Sequence, residues 1–248
     1  MTAITGQWSL MSNTEDPEIT RIRTEYERRR REISNDFYSW RKPVNQFFHS
    51  QLTRLSIRVL AKHNFFPLGK RSFLEVGCGT GSRLVESLHW GALPSNVAGI
   101  DLIEDRVQSA RTVLSEADIR CGDAQDLPWS DSSFDVVSQF TVFTSILDPT
   151  MKQTVAREMM RVLKPDGLIL WYDFRYDNPF NHNVKGVGAR ELRSLFPGCH
   201  IRLHTTTLAP PVARILVPIS WIAALALEKI PFLRTHYLAV IKKPKSET

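Results

Sequence analysis

Two hydrophobic periods alternate along this chain. Apolar runs of strand length at residues 73–76, 97–100, 119–121, 134–137 and 168–172 are separated by segments whose apolar positions recur every three or four residues. Ile103, Val107, Ala110, Val113 and Leu114 form one such stripe, so residues 103–116 are predicted as an amphipathic helix returning to a sheet. Phe48, Leu52, Leu55, Val59 and Leu60 form another, in a helix that Asn45 caps and that runs to about His63. Helices are also predicted over 82–90, 150–163 and 189–195, and strands over 201–208 and 236–241. Seven strands alternating with helices fit an α/β fold of the doubly wound kind, with a mostly parallel sheet. The last two strands read as a hairpin interrupted by residues 209–232.

Ahead of this pattern, residues 1–17 are polar and aperiodic and read as a frayed tail. Residues 18–35, EITRIRTEYERRRREISN, hold strong helix formers with Glu/Arg pairs three and four apart, which support a solvated helix. That helix is read either as a charged surface element or as a lid over a ligand pocket, with Tyr26 turned inward and its arginines near an anionic substrate. Residues 18–66 are therefore taken as a helical N-terminal cap and 67–248 as the main domain. Inside the interrupted hairpin, residues 221–227 are apolar almost all the way round and need burial on more than one side. Packing on the domain, a dimer contact and a helix lying in a membrane interface each supply that burial. Arg214, Lys229 and Arg234 flank the segment and suit the third.

The chemistry centres on FLEVGCGTG, residues 73–81. A strand runs into Gly77, Gly79 and Gly81 at alternate positions, so the backbone turns sharply and passes close to a ligand, and a helix follows. The dinucleotide fingerprint would want a glycine at position 82, where this chain has Ser82. Glu75 stands two residues ahead of the first glycine. Asp101 closes the second strand, twenty residues past Gly81, where an acid is placed to accept both hydroxyls of a ribose.

This E-x-G-x-G-x-G pattern resembles the first motif of the class I S-adenosylmethionine-dependent methyltransferases. Further resemblances follow in order: Gly122-Asp123-Ala124, the tract Asp126-Leu127-Pro128-Trp129 before Phe134-Asp135-Val136-Val137, and RVLKPDGLIL at 161–170. The resemblance implies a Rossmann-like fold with a seven-stranded, mostly parallel sheet whose last strand is antiparallel. It implies S-adenosylmethionine as cofactor and S-adenosylhomocysteine as product. It assigns the glycine loop, with Cys78, to the amino-acid part of that cofactor, Glu75 to its ammonium group, Asp101 and Leu102 to the ribose, and Asp123 and Ala124 to the adenine. Gln139 and Phe140 would line the methyl donor. Asp166 stands where many relatives carry Gly and is expected to take the left-handed turn geometry in its place.

Composition narrows the alternatives. The chain has 248 residues, 42% hydrophobic and 23% charged, which is ordinary for a folded enzyme. Three cysteines without a C-x-x-C pair, and no histidine cluster at ligand spacing, point to a reducing compartment such as the cytoplasm and to no metal. No signal peptide or spanning segment is read from the chain. The net charge of +6 suggests an anionic partner, and much of it is local, with eight Lys or Arg against four acids between Arg21 and Lys42.

Residues 173–187, DFRYDNPFNHNVKGV, follow the fifth strand at the edge where open α/β sheets bind ligands. Arg175, Asn178 and Lys185 are candidate substrate contacts. A hydroxyl acceptor needs a base, for which His182 is the first candidate, Asp173 the second and Tyr26 the third. The chain's flanks resemble a bacterial subgroup associated with surface-polysaccharide biosynthesis, which implies a sugar or lipid-linked glycan hydroxyl as acceptor. A lipid, quinone or small natural product is the rival acceptor, favoured by the apolar insert. A nucleic-acid methyltransferase is disfavoured because Ser138-Gln139-Phe140-Thr141 replaces the N-P-P-[YFW] tetrapeptide of many of them, and a non-catalytic cofactor-binding subunit is disfavoured by the intact loop. No nucleic-acid partner is expected, a peripheral membrane contact through 209–232 is left open, and the protein is taken as a monomer or homodimer.

Overall fold

A computed structural model describes residues 16–179 and 181–244. Of the tail expected over 1–17, residues 1–15 lie outside the described residues, while Asp16 and Pro17 already belong to a helix start. Helix α1 spans Pro17–Glu32, with the Asp16 side chain accepting from the Glu18 backbone N–H at 2.8 Å. Glu18 lies in its first turn and Arg29, Arg30 and Arg31 in its last, which complements the helix dipole. Helix α2 spans Pro43–Lys62, starting three residues earlier than a cap at Asn45 implies. Pro43 fills the first helical position, where no N–H is needed, so Asn45 is not the cap. Its amide instead donates to the Phe37 and Ser39 carbonyls, both at 2.9 Å.

The sheet and its helices then follow as β1 (Phe73–Val76), α3 (Ser82–His89), β2 (Val97–Asp101), α4 (Glu104–Val113), β3 (Asp118–Cys121), β4 (Phe134–Phe140), α5 (Pro149–Val162), β5 (Leu163–Phe174), α6 (Ala189–Leu195), β6 (His200–Leu208), α7 (Pro210–Leu216), α8 (Trp221–Glu228) and β7 (Arg234–Lys242). The strand order is β3-β2-β1-β4-β5-β7-β6, and β7 runs against the direction of the other six strands. The chain changes direction across the sheet between β1 and β4, which opens a crevice at the C-terminal ends of these strands.

Side-chain parity divides the core in two. Leu74, Val76, Ala98, Ile100, Ile169, Trp171, Ala239 and Ile241 face α1, α5 and α6, while Phe73, Val97, Leu168, Leu170, Leu238 and Val240 face α2, α3 and α4. A third, smaller cluster joins Val44 and Phe47 of α2 to Leu208, Ala213, Val217 and Ala224. The insert is thus a pair of short helices packed on the domain by one face, with Ile215, Ile219 and Ile222 left outside. Among the described residues no helix is long and apolar enough to cross a membrane.

One turn differs from expectation. Lys164-Pro165-Asp166-Gly167 does not form a left-handed turn; Asp166 has no positive φ, and residues 163–174 continue as one strand. The irregularity is a register shift: Leu163 pairs with Phe134, but Leu168 pairs with Val136. Gly167 is needed for close approach rather than for its φ, since a Cβ there would lie 2.7 Å from Leu163 Cδ1 and 2.8 Å from the Asp135 carbonyl oxygen. Gly167→Ala is expected to cost about 1–3 kcal/mol, the range for overpacking a tight site. Urea unfolding of the two proteins measures it, and equal midpoints would show that the bulge relaxes freely.

Candidate active site

The glycine loop and the end of β2 are tied together by one carboxylate. Asp101 Oδ2 accepts from the Gly79 N–H at 2.8 Å, and its Oδ1 accepts from the Ile103 N–H at 3.0 Å. The Gly77 and Cys78 N–H groups donate to the Ile100 carbonyl at 2.8 and 3.0 Å, which fixes the loop's first turn to the same strand. Gly77 has φ +71°, and a Cβ there would sit 2.3 Å from Val142 Cγ2, so no side chain fits. Gly81, at φ +84°, is the N-cap of α3, and a Cβ there would lie 3.1 Å from Leu114 Cδ1 and 3.2 Å from Ala110 Cβ.

Over this loop lies a cavity of about 800 Å³, part of it open to solvent. Its sheet wall is made by strand ends and the residues just beyond them: Val76 and Gly77, Asp101 and Leu102, Asp123 and Ala124, and Phe140. The opposite wall is α1, through Ile19, Ile22 and Tyr26, so the expectation of an inward Tyr26 agrees with its placement. Arg106 of α4 completes one end; its guanidinium lies 4.8 Å from the centre of the Tyr26 ring and 3.9 Å from Asp101. Contacts to the segment after β4 hold α1 down: Glu18 accepts from the Leu147 N–H, and Arg21 donates to the Ser145 carbonyl at 2.6 Å. Asn183 donates to Glu25 at 2.8 Å from the other side.

Other predicted residues lie elsewhere. Gln139 is fully buried and does not line the cavity; its amide bridges the Tyr172 carbonyl and the Val142 N–H, at 3.2 and 2.9 Å. It therefore acts through Val142, the residue pressed against Gly77. Cys78 turns its side chain toward Gly99 and Leu84 in the helix α3 core, where burial pushes the thiol up, and it brings only backbone to the loop. Asp173 is fully buried away from the cavity, accepting from the Thr144 and Phe174 N–H groups at 3.0 and 2.9 Å. His182 and Lys185 are exposed, Asn178 is exposed, and Arg175 stacks between Tyr176 and Tyr237; none of the four lines the cavity.

Glu75 is 2% exposed, one of its carboxyl oxygens has no hydrogen-bond partner, and burial raises its pKa well above the usual carboxylate range. Arg83 is the nearby charge that opposes this. Glu75 is not itself on the cavity wall but lies two residues before Gly77, which is, and a buried acid left unpaired beside a backbone cradle that excludes a Cβ is suited to a ligand bearing a cation. The loop, Asp101 and Glu75 therefore fit a cofactor with an ammonium group and a ribose.

Several lining residues lay beyond the sequence reading. Ile19 and Ile22 form with Tyr26 a three-to-four residue stripe inside a highly charged helix, a signal that was present but masked by its neighbours. Thr141 lines the cavity with φ +62°, a conformation rare for a β-branched residue, and no sequence rule announces it. Its N–H donates to the Tyr172 carbonyl at 2.8 Å, which ties the turn to β5. Among the described residues no group of three or more His, Cys, Asp or Glu is placed to hold a metal.

Comparison with known proteins agrees with this geometry. Residues 74–171 match a family model described as a methyltransferase domain. A 24-methylenesterol C-methyltransferase of Oryza sativa subsp. japonica is 32% identical over 152 residues, 56% of this chain and 40% of the relative. A phthiotriol/phenolphthiotriol dimycocerosates methyltransferase of Mycobacterium tuberculosis is 35% identical over 133 residues, 52% of this chain and 47% of the relative. The chain thus spans less than half the length of these curated relatives. The PH0226 protein of Pyrococcus horikoshii superposes with a TM-score of 0.57 at 18% identity, covering 88% of this chain and 98% of that one, and so shares the fold. Residues 74–171, which run from strand β1 to strand β5, are thus similar to a methyltransferase domain, and the acids and glycine loop among them fit S-adenosylmethionine as a ligand.

Two substitutions probe the site. Asp101→Ala removes the acceptor that holds the Gly79 N–H, and hydrogen bonds to charged groups contribute roughly 1.5–3 kcal/mol each. Affinity for S-adenosylhomocysteine is expected to fall at least about tenfold in calorimetry; unchanged affinity would remove Asp101 from the site. Asp173 tests a structural role. Burial raises its pKa from 3.8 to about 7, so its contribution to stability is full below pH 3.8 and is lost as the pH rises through about 7. Asp173→Asn is expected to make unfolding free energy fall less steeply across that window, and identical pH slopes would contradict the assignment.

Proposed function

We propose that this chain is a class I S-adenosylmethionine-dependent methyltransferase acting on a small apolar or lipid-like acceptor. The observation that carries the reading is the pairing of two walls: an Asp101-held glycine loop at the sheet's switch point, and an apolar lid formed by Ile19, Ile22 and Tyr26. When bound, S-adenosylmethionine supplies a methyl group on a sulfonium, open to in-line displacement.

The chain's own residues divide the work. Asp101 positions the nucleoside end, the glycine loop takes the amino-acid part, and Glu75 offers the negative charge for an ammonium group. Ile22, Ile146, Met151 and Val155, among the residues lining the cavity, keep water from its inner part. Exclusion of water and alignment of the reacting groups supply most of what a displacement of this kind needs. Of the three residues considered as bases, Tyr26 is the one that lines the cavity, and we assign the acceptor contact to its hydroxyl.

The apolar lining favours an acceptor with an apolar body. The relatives described above bear names that refer to a sterol and to phthiotriol dimycocerosates, which supports the same direction. The sugar or lipid-linked glycan hydroxyl, expected first from the chain's flanks, has no comparable support from the lining residues. The test is incubation with S-adenosylmethionine and two acceptor panels, sterols and long-chain hydroxylated lipids against nucleotide sugars. We expect a gain of about 14 Da, methyl for hydrogen, on a member of the first panel. Labelling confined to the sugars would overturn the acceptor class, and no calorimetric binding of S-adenosylmethionine would overturn the enzyme reading itself.

A further inference from the structure

Four large apolar side chains crowd the outer face of the insert. Ile215, Ile219, Ile222 and Phe232 are 70, 77, 80 and 74% exposed, although the opposite face of the same segment packs into a core of its own. Strand β6 runs parallel to β5, so its end at Leu208 lies on the sheet edge where the cavity opens, and the insert that follows starts from that edge. The start of α2 supports it there, with Phe47 against Trp221 at 5.2 Å between ring centres. Just before α2, Trp40 is 55% exposed.

The exposed charges of the insert have one sign, and the exposed acid of the neighbouring loop, Asp36, is paired with Lys42 at 3.2 Å. Lys229 and Arg214 are exposed on the two helices, Arg214 lying 4.1 Å over the Phe37 ring, and Arg41 is exposed beside Trp40. Between residues 209 and 232 the only acid is Glu228, and it is turned inward to accept from the Thr207 N–H at 3.1 Å. Isoleucines and aromatic rings flanked by exposed cations, with no exposed acid in the insert itself, match the interface of an anionic bilayer. A second copy related by a two-fold axis would instead bring Arg214 and Lys229 against the same cationic patch of its partner. We propose that the outer face of α7 and α8, together with Trp40, docks this protein on a lipid surface bearing anionic headgroups. The proposal stands independently of the methyl-transfer reading.

Flotation of the full chain with vesicles tests it. The protein is expected to float with vesicles of phosphatidylglycerol and phosphatidylcholine in equal parts, and much less with phosphatidylcholine alone. Ile219→Glu combined with Ile222→Glu should lower the partition coefficient about tenfold or more, and Lys229→Glu about fivefold. These side chains are exposed, so thermal midpoint and S-adenosylhomocysteine affinity should stay as in the parent protein. Phe232→Ser supplies a second apolar probe should the double variant misfold. Failure of the parent to float with anionic vesicles would overturn the proposal, as would equal flotation of the folded apolar variants. So would conversion of a dimer to a monomer by Ile219→Glu with Ile222→Glu in size-exclusion chromatography, which would assign the face to a second copy.

Discussion

The carboxylate of Asp101 is the point at which this fold becomes a site. Three glycines in succession would otherwise leave a loop with many conformations, and fixing it costs backbone entropy. Asp101 meets that cost with two backbone N–H groups, one from the loop itself and one from the start of α4. Because it ends β2, its position is set by the sheet, so the loop inherits the rigidity of the core. From the other side, Gln139 holds the turn after β4 and sets Val142 against Gly77. The loop is gripped between two strand ends, and the cavity above it is a consequence of that grip.

What was legible in the sequence is what depends on spacing along one segment. The alternate glycines, the acid at the end of β2 and the Gly-Asp-Ala after β3 are local patterns, and each lies where the pattern put it. What was not legible depends on the partners a side chain finds in the folded state. Gln139 and Asp173 are at strand ends near the cavity, yet Asp173 shares parity with Trp171 and points among the α5 and α6 side chains. Gln139 likewise lies opposite in parity to Phe140, which does line the cavity. Parity alone does not separate them from the lining, since Val76 pairs in register with Gln139 and does line the cavity; Gln139 and Asp173 are instead spent on backbone N–H groups of the turn after β4. No parity applies to His182, whose place depends on how a long loop settles.

The lid shows the same division between local and tertiary information. Helix α1 carries so many charges that its composition describes a surface helix, and most of its circumference is one. Its ion pairs are largely internal: Arg21 with Glu18, Arg28 with Glu25 and Glu32, and Arg29 with Glu25. The Arg28 and Arg29 guanidinium groups hold the Glu25 carboxyl down at about 2, in spite of its burial. The cap's union with the domain relies instead on Ile19, Ile22 and Tyr26, on a few polar contacts to residues 145–148 and 183, and on the Arg30–Asp105 pair to α4. That is a small attachment for a sixteen-residue helix.

These pairings also change what the basic charge means. A net +6 with an arginine run would ordinarily suggest a polyanion such as nucleic acid, whose affinity comes from many phosphate contacts made together. Here Arg21, Arg28 and Arg29 already face carboxylates in the same helix, and Arg30 pairs with Asp105 across to α4. A partner recruiting these groups would have to displace carboxylates that are part of the fold, with little net gain in charge. The cations of the insert differ in kind. Lys229 and Arg214 border exposed isoleucines, and the one acid of that segment is turned inward. Position relative to apolar surface, more than the total charge, therefore decides which kind of anion each basic region of this protein can meet.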